Sequence, residues 1–277
     1  MESLKKLLLL SVLATAEADF TANCPLICKC SWAAGNKKAA CSNVDLHDLP
    51  KTLSTEIQIL DLSNNSLHEI KQRAFEDAQL INLKKLFLRD CELQTIHKHG
   101  LKGLAIMIQL DLSKNNLKEL HPDTFKEITN IRWMLLNDNQ LETLDDGLFN
   151  NLPILQKVDL NNNKIKQIGV RTFFNVPRLS NLKLDHNLLE SLNIDTLSAL
   201  TALTSLDIHG NPWKCDCLLQ PLKKLVTSKN LCTTPVACTT PDIVQGKLWN
   251  ELNTPDFACP PNIVYPATGI TIHTYTS

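Results

Sequence analysis

The stretch Ile131-Arg132-Trp133-Met134-Leu135-Leu136-Asn137-Asp138-Asn139-Gln140-Leu141-Glu142-Thr143-Leu144 decides how this chain folds. It fits the pattern L-x-x-L-x-L-x-x-N-x-L and is the fourth of seven copies. The asparagine position falls at Asn65, Cys91, Asn115, Asn139, Asn163, Asn187 and Asn211, with one step of 26 residues followed by five of 24. A fixed period in this range means that each copy is one supersecondary unit, stacked on the next to share a continuous core.

Within the copy, Met134 and Leu136 flank Leu135 in an alternating run, which reads as a short strand. Alternation sends that pair to one side and Leu135 to the other. Ile131, Leu141 and Leu144 complete an apolar set too small to be buried by one copy alone. Asn139 sits where the chain turns out of the strand, and its amide can both donate and accept, so it can satisfy backbone groups that the turn leaves without partners. Cys91 is a poorer donor in the same place. Ten residues after each ladder position come Phe75, Leu101, Phe125, Phe149, Phe173 and Leu197, which read as a core spine. Consensus and period together are the signature of a leucine-rich repeat. The expected fold is therefore an α/β-type solenoid, mostly β and loop: a right-handed coil with a parallel concave sheet and disulfide-stapled caps at both ends.

The ends carry different signals. Lys5 and Lys6 precede a short apolar run, Leu7 to Ala14, and then Ala14-Thr15-Ala16 and Ala16-Glu17-Ala18 offer cleavage sites, so residues 1–18 read as a secretory signal peptide. Of ten cysteines, Cys24, Cys28, Cys30 and Cys41 precede the repeats, Cys215, Cys217, Cys232, Cys238 and Cys259 follow them, and only Cys91 is internal. A solenoid exposes core at both ends, and small caps in an oxidising compartment are held by disulfides. Zinc is the rival use of such cysteine spacing, and the secretory signal argues against it. The expected organisation is an N-terminal cysteine cap over 19–55, repeats over 56–210 with the last merging into the cap, a C-terminal cysteine cap over 211–259, and a segment 260–277. Four cysteines allow three pairings, and spacing alone does not choose among them.

The motif Cys24-Pro25-x-x-Cys28-x-Cys30 with Cys41 resembles the N-terminal flanking cap of extracellular leucine-rich repeat proteins. Asn211-Pro212-Trp213-x-Cys215-Asp216-Cys217 resembles the start of their C-terminal cap, and Cys238-x-x-Pro241, Gly246-Lys247 and Phe257-Ala258-Cys259 resemble its end. The resemblance implies pairing of Cys24 with Cys30, Cys28 with Cys41, Cys215 with Cys238, and Cys217 with Cys259. Cys232-Thr233-Thr234-Pro235 nearly repeats Cys238-Thr239-Thr240-Pro241, so either cysteine could take the third place; the residues after Cys238 match better. Cys91 is then expected to be buried, and Cys232 to be the accessible thiol or a site of intermolecular pairing. Cys30-Ser31-Trp32 with Gly35-Asn36-Lys37-Lys38 further resembles the kekkon group of leucine-rich repeat and immunoglobulin proteins. That group continues into an immunoglobulin domain, a membrane span and a cytoplasmic tail, so residues 260–277 are expected to be the start of a truncated immunoglobulin-like domain or a tail.

No nucleophile elbow, phosphate loop, zincin helix or calcium loop occurs, so the reading is a non-enzyme with no cofactor and no catalytic or metal residues. His97 and His99 read as a solvated loop. Asp61, Asp111, Asp159 and Asp207 recur at one strand position, where a calcium row is conceivable but a solvated face is the plainer reading. The formal net charge of −1 gives no electrostatic case for nucleic acid or an acidic membrane. Asn64-Asn65-Ser66 is the one N-glycosylation acceptor, at Asn64. On the concave face, Phe87, Trp133 and Leu135 break an otherwise polar surface, and Lys85, Arg89, Asp111 and Lys157 are expected to rim them. Apolar groups ringed by charge mark interaction sites. The expected function is an extracellular protein-recognition module, secreted or, in a full-length form, single-pass at the plasma membrane. Its expected partner is an extracellular protein or receptor ectodomain, or a second copy of the chain. The kekkon resemblance implies a regulator of receptor signalling or neuronal adhesion. The alternatives are a structural matrix protein similar to small leucine-rich proteoglycans, or a fragment of a Toll-type pattern receptor. The first would carry Ser-Gly acceptor pairs, and none occurs.

Overall fold

The computed structural model describes residues 20–21, 24–50 and 52–257. The signal peptide, Cys259 and the segment 260–277 lie outside the described residues. Each repeat contributes one three-residue strand whose middle residue is buried and whose flanking residues face out. These are β3 (Ile59–Asp61), β5 (Lys85–Phe87), β7 (Gln109–Asp111), β8 (Trp133–Leu135), β10 (Lys157–Asp159), β12 (Asn181–Lys183) and β13 (Ser205–Asp207). They pair in parallel without slippage, so Lys85, Gln109, Trp133, Lys157, Asn181 and Ser205 form one row, and Phe87, Asp111, Leu135, Asp159, Lys183 and Asp207 the next. Two-residue strands on the far side of the coil, β4 (Glu69–Ile70) with β6 (Thr95–Ile96) and β9 (Thr143–Leu144) with β11 (Gln167–Ile168), pair in the same sense.

The asparagine ladder holds this stack. Asn139 Nδ2 donates to Leu136 O in its own repeat at 3.1 Å and to Leu112 O in the repeat before at 2.9 Å, while its Oδ1 accepts from Leu117 N at 3.2 Å. Asn163, Asn187 and Asn211 do the same one repeat further on. Each strand-end carbonyl in this series therefore receives two amide donors: Leu112 O from Asn115 and Asn139, Leu136 O from Asn139 and Asn163. The residue before each ladder position is left-handed, from Asn64 (φ 57°) to His186 (φ 52°), which turns the chain sharply enough for the amide to point inward.

Cys91 fills its place differently. Its Sγ donates to Leu62 O at 3.1 Å, but a thiol cannot also serve as the amide oxygen. The neighbouring Leu67 N donates instead to the Cys91 backbone carbonyl at 3.1 Å. Behind the ladder, Phe125, Phe149 and Phe173 are buried and stack at 5.5 and 5.2 Å between ring centroids.

The N-terminal cap is a hairpin that the sequence reading did not anticipate. Strands β1 (Lys29–Ala33) and β2 (Asn36–Ala40) are antiparallel, joined by Ala34 (φ 48°) and Gly35 (φ 74°), both left-handed as a two-residue hairpin turn requires. Strand β2 then pairs in parallel with β3, so the nine-stranded sheet begins inside the cap. Cys24–Cys30 and Cys28–Cys41 are bonded. Asn65 extends the ladder into the cap: it donates to Cys41 O at 2.8 Å and accepts from Val44 N and Leu46 N.

At the other end, Trp213 is fully buried and its Nε1 donates to Ile208 O at 2.9 Å, the carbonyl that Asn211 also serves. The indole thus replaces the amide that a further repeat would supply. Leu206 N of β13 donates to Leu231 O, which covers the sheet edge. Of the short helices α1 (Ala74–Asp77), α2 (Ile194–Ser198) and α3 (Gln220–Ser228), α3 belongs to this cap and buries Leu222 and Val226 one turn apart. Cys215 is bonded to Cys238, and Cys217 is in a disulfide whose assigned partner, Cys259, lies outside the described residues. Cys91 and Cys232 are free. Cys91 is buried and Cys232 half-buried, so Cys232 is the more accessible of the two free thiols; burial, reinforced by the Asp207 carboxylate, pushes its pKa to about 12.

Two predictions follow from the ladder. Asn139→Ala leaves Leu117 N without its side-chain acceptor, whereas Leu112 O and Leu136 O each keep a second amide donor. The cost should therefore be that of one orphaned buried group, about 1–3 kcal/mol. Trp213→Phe removes only one of two donors to Ile208 O and should cost about 0.5–1.5 kcal/mol from the hydrogen bond. Urea unfolding that ranks the tryptophan variant's hydrogen-bond loss above the asparagine's would contradict the double-donor arrangement. Burial also raises the Cys91 thiol from 9.0 to about 11. A thiol with a raised folded pKa contributes its stability in full below about pH 9 and loses it as pH climbs to about 11. The stability gap between the parent and Cys91→Ala should narrow across that window; a gap independent of pH would count against a buried, neutral thiol.

Candidate functional site

The outward residues of the concave sheet are set two per strand by the alternation, so the chemistry of this face is read directly from the two rows. Trp133, at the centre of the first row, lies between Gln109 and Lys157 and is 38% exposed. Leu135 lies two residues on, in the second row, between Asp111 and Asp159, and Phe87 lies two strands away in the same row. Both Leu135 and Phe87 are half-buried. Neighbouring strands are about 4.8 Å apart, so Phe87 and Leu135 are separated by about 10 Å across the face.

The acids of the second row are not the loose rim charges that were expected. Asp111 is buried, and its Oδ1 accepts from Ser113 N at 2.9 Å and Ser113 Oγ at 2.6 Å. Exposed Arg89 reaches the same hydroxyl at 3.5 Å. Asp159 is likewise buried and has Lys157 at 3.7 Å and Lys183 at 3.9 Å. Arg89 and Lys157 thus lie at the apolar group's margin, while buried Asp111 lies within it, between Phe87 and Leu135. Ser113, Asp159 and Lys183 complete the surround and were missed. For Ser113 and Asp159 the signal was the recurring Asp-x-Ser or Asp-x-Asn at the strand end, Asp111-Leu112-Ser113 and Asp159-Leu160-Asn161. Asn64 is exposed on the loop after β3, with its backbone N–H donating to Arg89 O, and so sits at the edge of this face.

No helix among the described residues is long and apolar enough to cross a membrane. The bonded cysteines place the folded chain in an oxidising environment.

The family model for the leucine rich repeat matches residues 55–106, 81–141, 129–189 and 155–212. Leucine-rich repeat-containing protein 3B of Homo sapiens is 34% identical over 106 residues, 38% of this chain and 40% of that protein. Trophoblast glycoprotein of Macaca fascicularis is 33% identical over 113 residues, 40% of this chain and 26% of that protein. The chain therefore spans less than half the length of these curated relatives. The crystal structure of human 5T4 (Wnt-activated inhibitory factor 1, trophoblast glycoprotein) superposes with a TM-score of 0.61 at 25% identity, over 85% of this chain and 99% of that one.

The Ser113 arrangement yields a prediction of its own. Ser113→Ala removes the hydroxyl that donates to buried Asp111 and leaves only the backbone N–H. Folding stability should fall by about 1–3 kcal/mol, the range for a hydrogen bond to a charged group or a partly orphaned one. Thermal unfolding unchanged by Ser113→Ala would show that solvent already satisfies this carboxylate.

Proposed function

The chain belongs to the leucine rich repeat family, and we propose that it is an extracellular protein-recognition module that binds its partner on the concave sheet. The observation that carries the reading is the apolar group Trp133, Leu135 and Phe87 on a face whose other outward positions from β5 to β13 are Lys, Asp, Asn, Gln and Ser. Large aromatic side chains surrounded by polar residues are the usual composition of binding hot spots. The parallel stack holds them on rigid strands, so little conformational freedom is lost on binding. Arg89, Lys157 and Lys183 give the margin a positive edge suited to carboxylates of a partner, with Asp159 holding the two lysines and the Ser113 hydroxyl holding Arg89. The repeat family is typically a binding scaffold.

The partner in this reading is a receptor ectodomain, and the role is regulation of receptor signalling or neuronal adhesion. Support comes from the kekkon-like first cap and from the similarity to a protein titled Wnt-activated inhibitory factor 1. A glycan on Asn64 would restrict approach from the first repeat and leave the centre open.

The test uses purified protein against a panel of receptor ectodomains, with self-association followed by sedimentation. Trp133 is outward-facing, so Trp133→Asp should fold normally. It should lose about 2 kcal/mol or more of binding energy, about thirtyfold in affinity. Lys126→Asp, whose side chain is 74% exposed in a connecting segment away from the sheet, should bind as the parent does. Equal affinity of a folded Trp133→Asp and its parent would move the site to an edge or a cap.

A further inference from the structure

The two C-terminal repeats bring together three residues that no single column of the repeat pattern contains. The position two before the ladder asparagine is Asn161, Asp185 and His209 in successive copies, so stacking sets Asp185 beside His209. His186, next in the chain, packs its ring against His209 edge to face, with centroids 4.7 Å apart at 84°. One ligand atom from each of Asp185, His186 and His209 lies within 4.8 Å of the others, and no other such group of three occurs among the described residues. Gly210 permits this approach. It holds the left-handed position (φ 65°) that a residue with a side chain fills in every earlier copy. A Cβ there would fall 2.9 Å from His186 Cδ2 and 3.1 Å from its Nε2.

Two further observations point to a ligand. Asp185 is 6% exposed, with Oδ2 at 3.1 Å from His186 Nδ1 and a buried Oδ1 that has no hydrogen-bond partner. An unsatisfied buried carboxylate oxygen is costly and calls for an ion or donor. His209 Nδ1 is held by Asp207, the arrangement in which a carboxylate fixes the tautomer of a metal-binding imidazole and leaves Nε2 free. Of the acidic row, Asp111 and Asp159 are occupied by Ser113 and by two lysines, so Asp207 alone is turned to a histidine.

We propose that Asp185, His186 and His209 form a zinc site, with Asp207 as the positioning residue for His209. Two imidazole nitrogens and one carboxylate oxygen are a donor set that zinc takes in open, four-coordinate sites, leaving one position for water. Calcium would need six to eight oxygens, which the group does not offer. His186 is exposed, so the open position faces solvent, and the ion enters without rearrangement of the core.

The test is calorimetric titration of zinc into the disulfide-intact, chelator-treated protein, with cobalt(II) absorption as a second readout. One zinc per chain is expected. His209→Gln, His186→Gln and Asp185→Asn should each weaken binding at least about a hundredfold, and Asp207→Asn about tenfold. Cobalt should give tetrahedral d–d bands without a thiolate charge-transfer band. In the parent protein, zinc should shift the imidazole proton resonances of His186 and His209, which needs no variant to fold. Four results would overturn the proposal: no zinc binding, binding unchanged by His186→Gln and His209→Gln, a thiolate band implicating Cys232, or imidazole shifts confined to other histidines.

Discussion

The shared carbonyl is the interaction on which the rest of this protein depends. A three-residue strand is far too short to be stable alone, and the carbonyl just after it would be stranded where the chain turns inward. Two amide donors, one from the same repeat and one from the next, satisfy that carbonyl and in doing so fix the spacing of neighbouring coils. Because each asparagine bonds both its own repeat and the one before, the ladder must be terminated. Asn65 ends it on the carbonyl of disulfide-bonded Cys41, and Trp213 ends it with an indole N–H on Ile208 O. The caps are therefore part of the hydrogen-bond ladder as well as covers for apolar core.

A ladder of this kind also decides what the concave face can present. Parallel, in-register strands give each repeat two outward positions and no freedom to slip, since a shift of one residue would bury the outward set. Acids in one row would repel one another if left alone. They are instead compensated one by one: Asp111 by Ser113, Asp159 by Lys157 and Lys183, Asp207 by His209. Trp133, Leu135 and Phe87 have no comparable internal role on that face. Their outward placement leaves apolar surface in water that the core does not use.

What was legible in the chain was what the period repeats. The parallel sheet, the phenylalanine spine and the inward amides all recur at a constant step, so each copy corroborates the others. The hairpin Lys29–Ala40 recurs nowhere, and its strands carry Lys29, Lys37 and Lys38 among cysteines and alanines, which obscures any alternation. Burial of Asp111 was hidden because it depends on Ser113 two residues away and on the depth of the face between Phe87 and Leu135. Trp213 read as part of a cap motif, and nothing local to it marks it as the ladder's last donor. The acceptor role of the Cys91 backbone was equally unreadable, since it arises where a thiol stands in place of the ladder amide. His186 and His209 are 23 apart and not 24, so no column contains both; only the stacking, with Gly210 giving way, joins them.

That irregularity has an energetic meaning in a solenoid. Each repeat contacts only its neighbours, so the stability of the stack is close to a sum of repeat and interface terms. A departure from the pattern is felt at its own interface and one step to either side. The apolar group centred on β8 and the histidine cluster after β12 and β13 lie two or more repeats apart, with the Asp159 ion pairs between them. A ligand at one end would thus tighten the last interface and the C-terminal cap without rearranging the strands that carry Trp133. The same architecture that makes the repeats interchangeable for folding lets them diverge separately in what they hold on the surface. Function in this chain is accordingly to be sought where a repeat breaks its own rule: at a tryptophan in a polar row, and at a glycine in a left-handed column of larger residues.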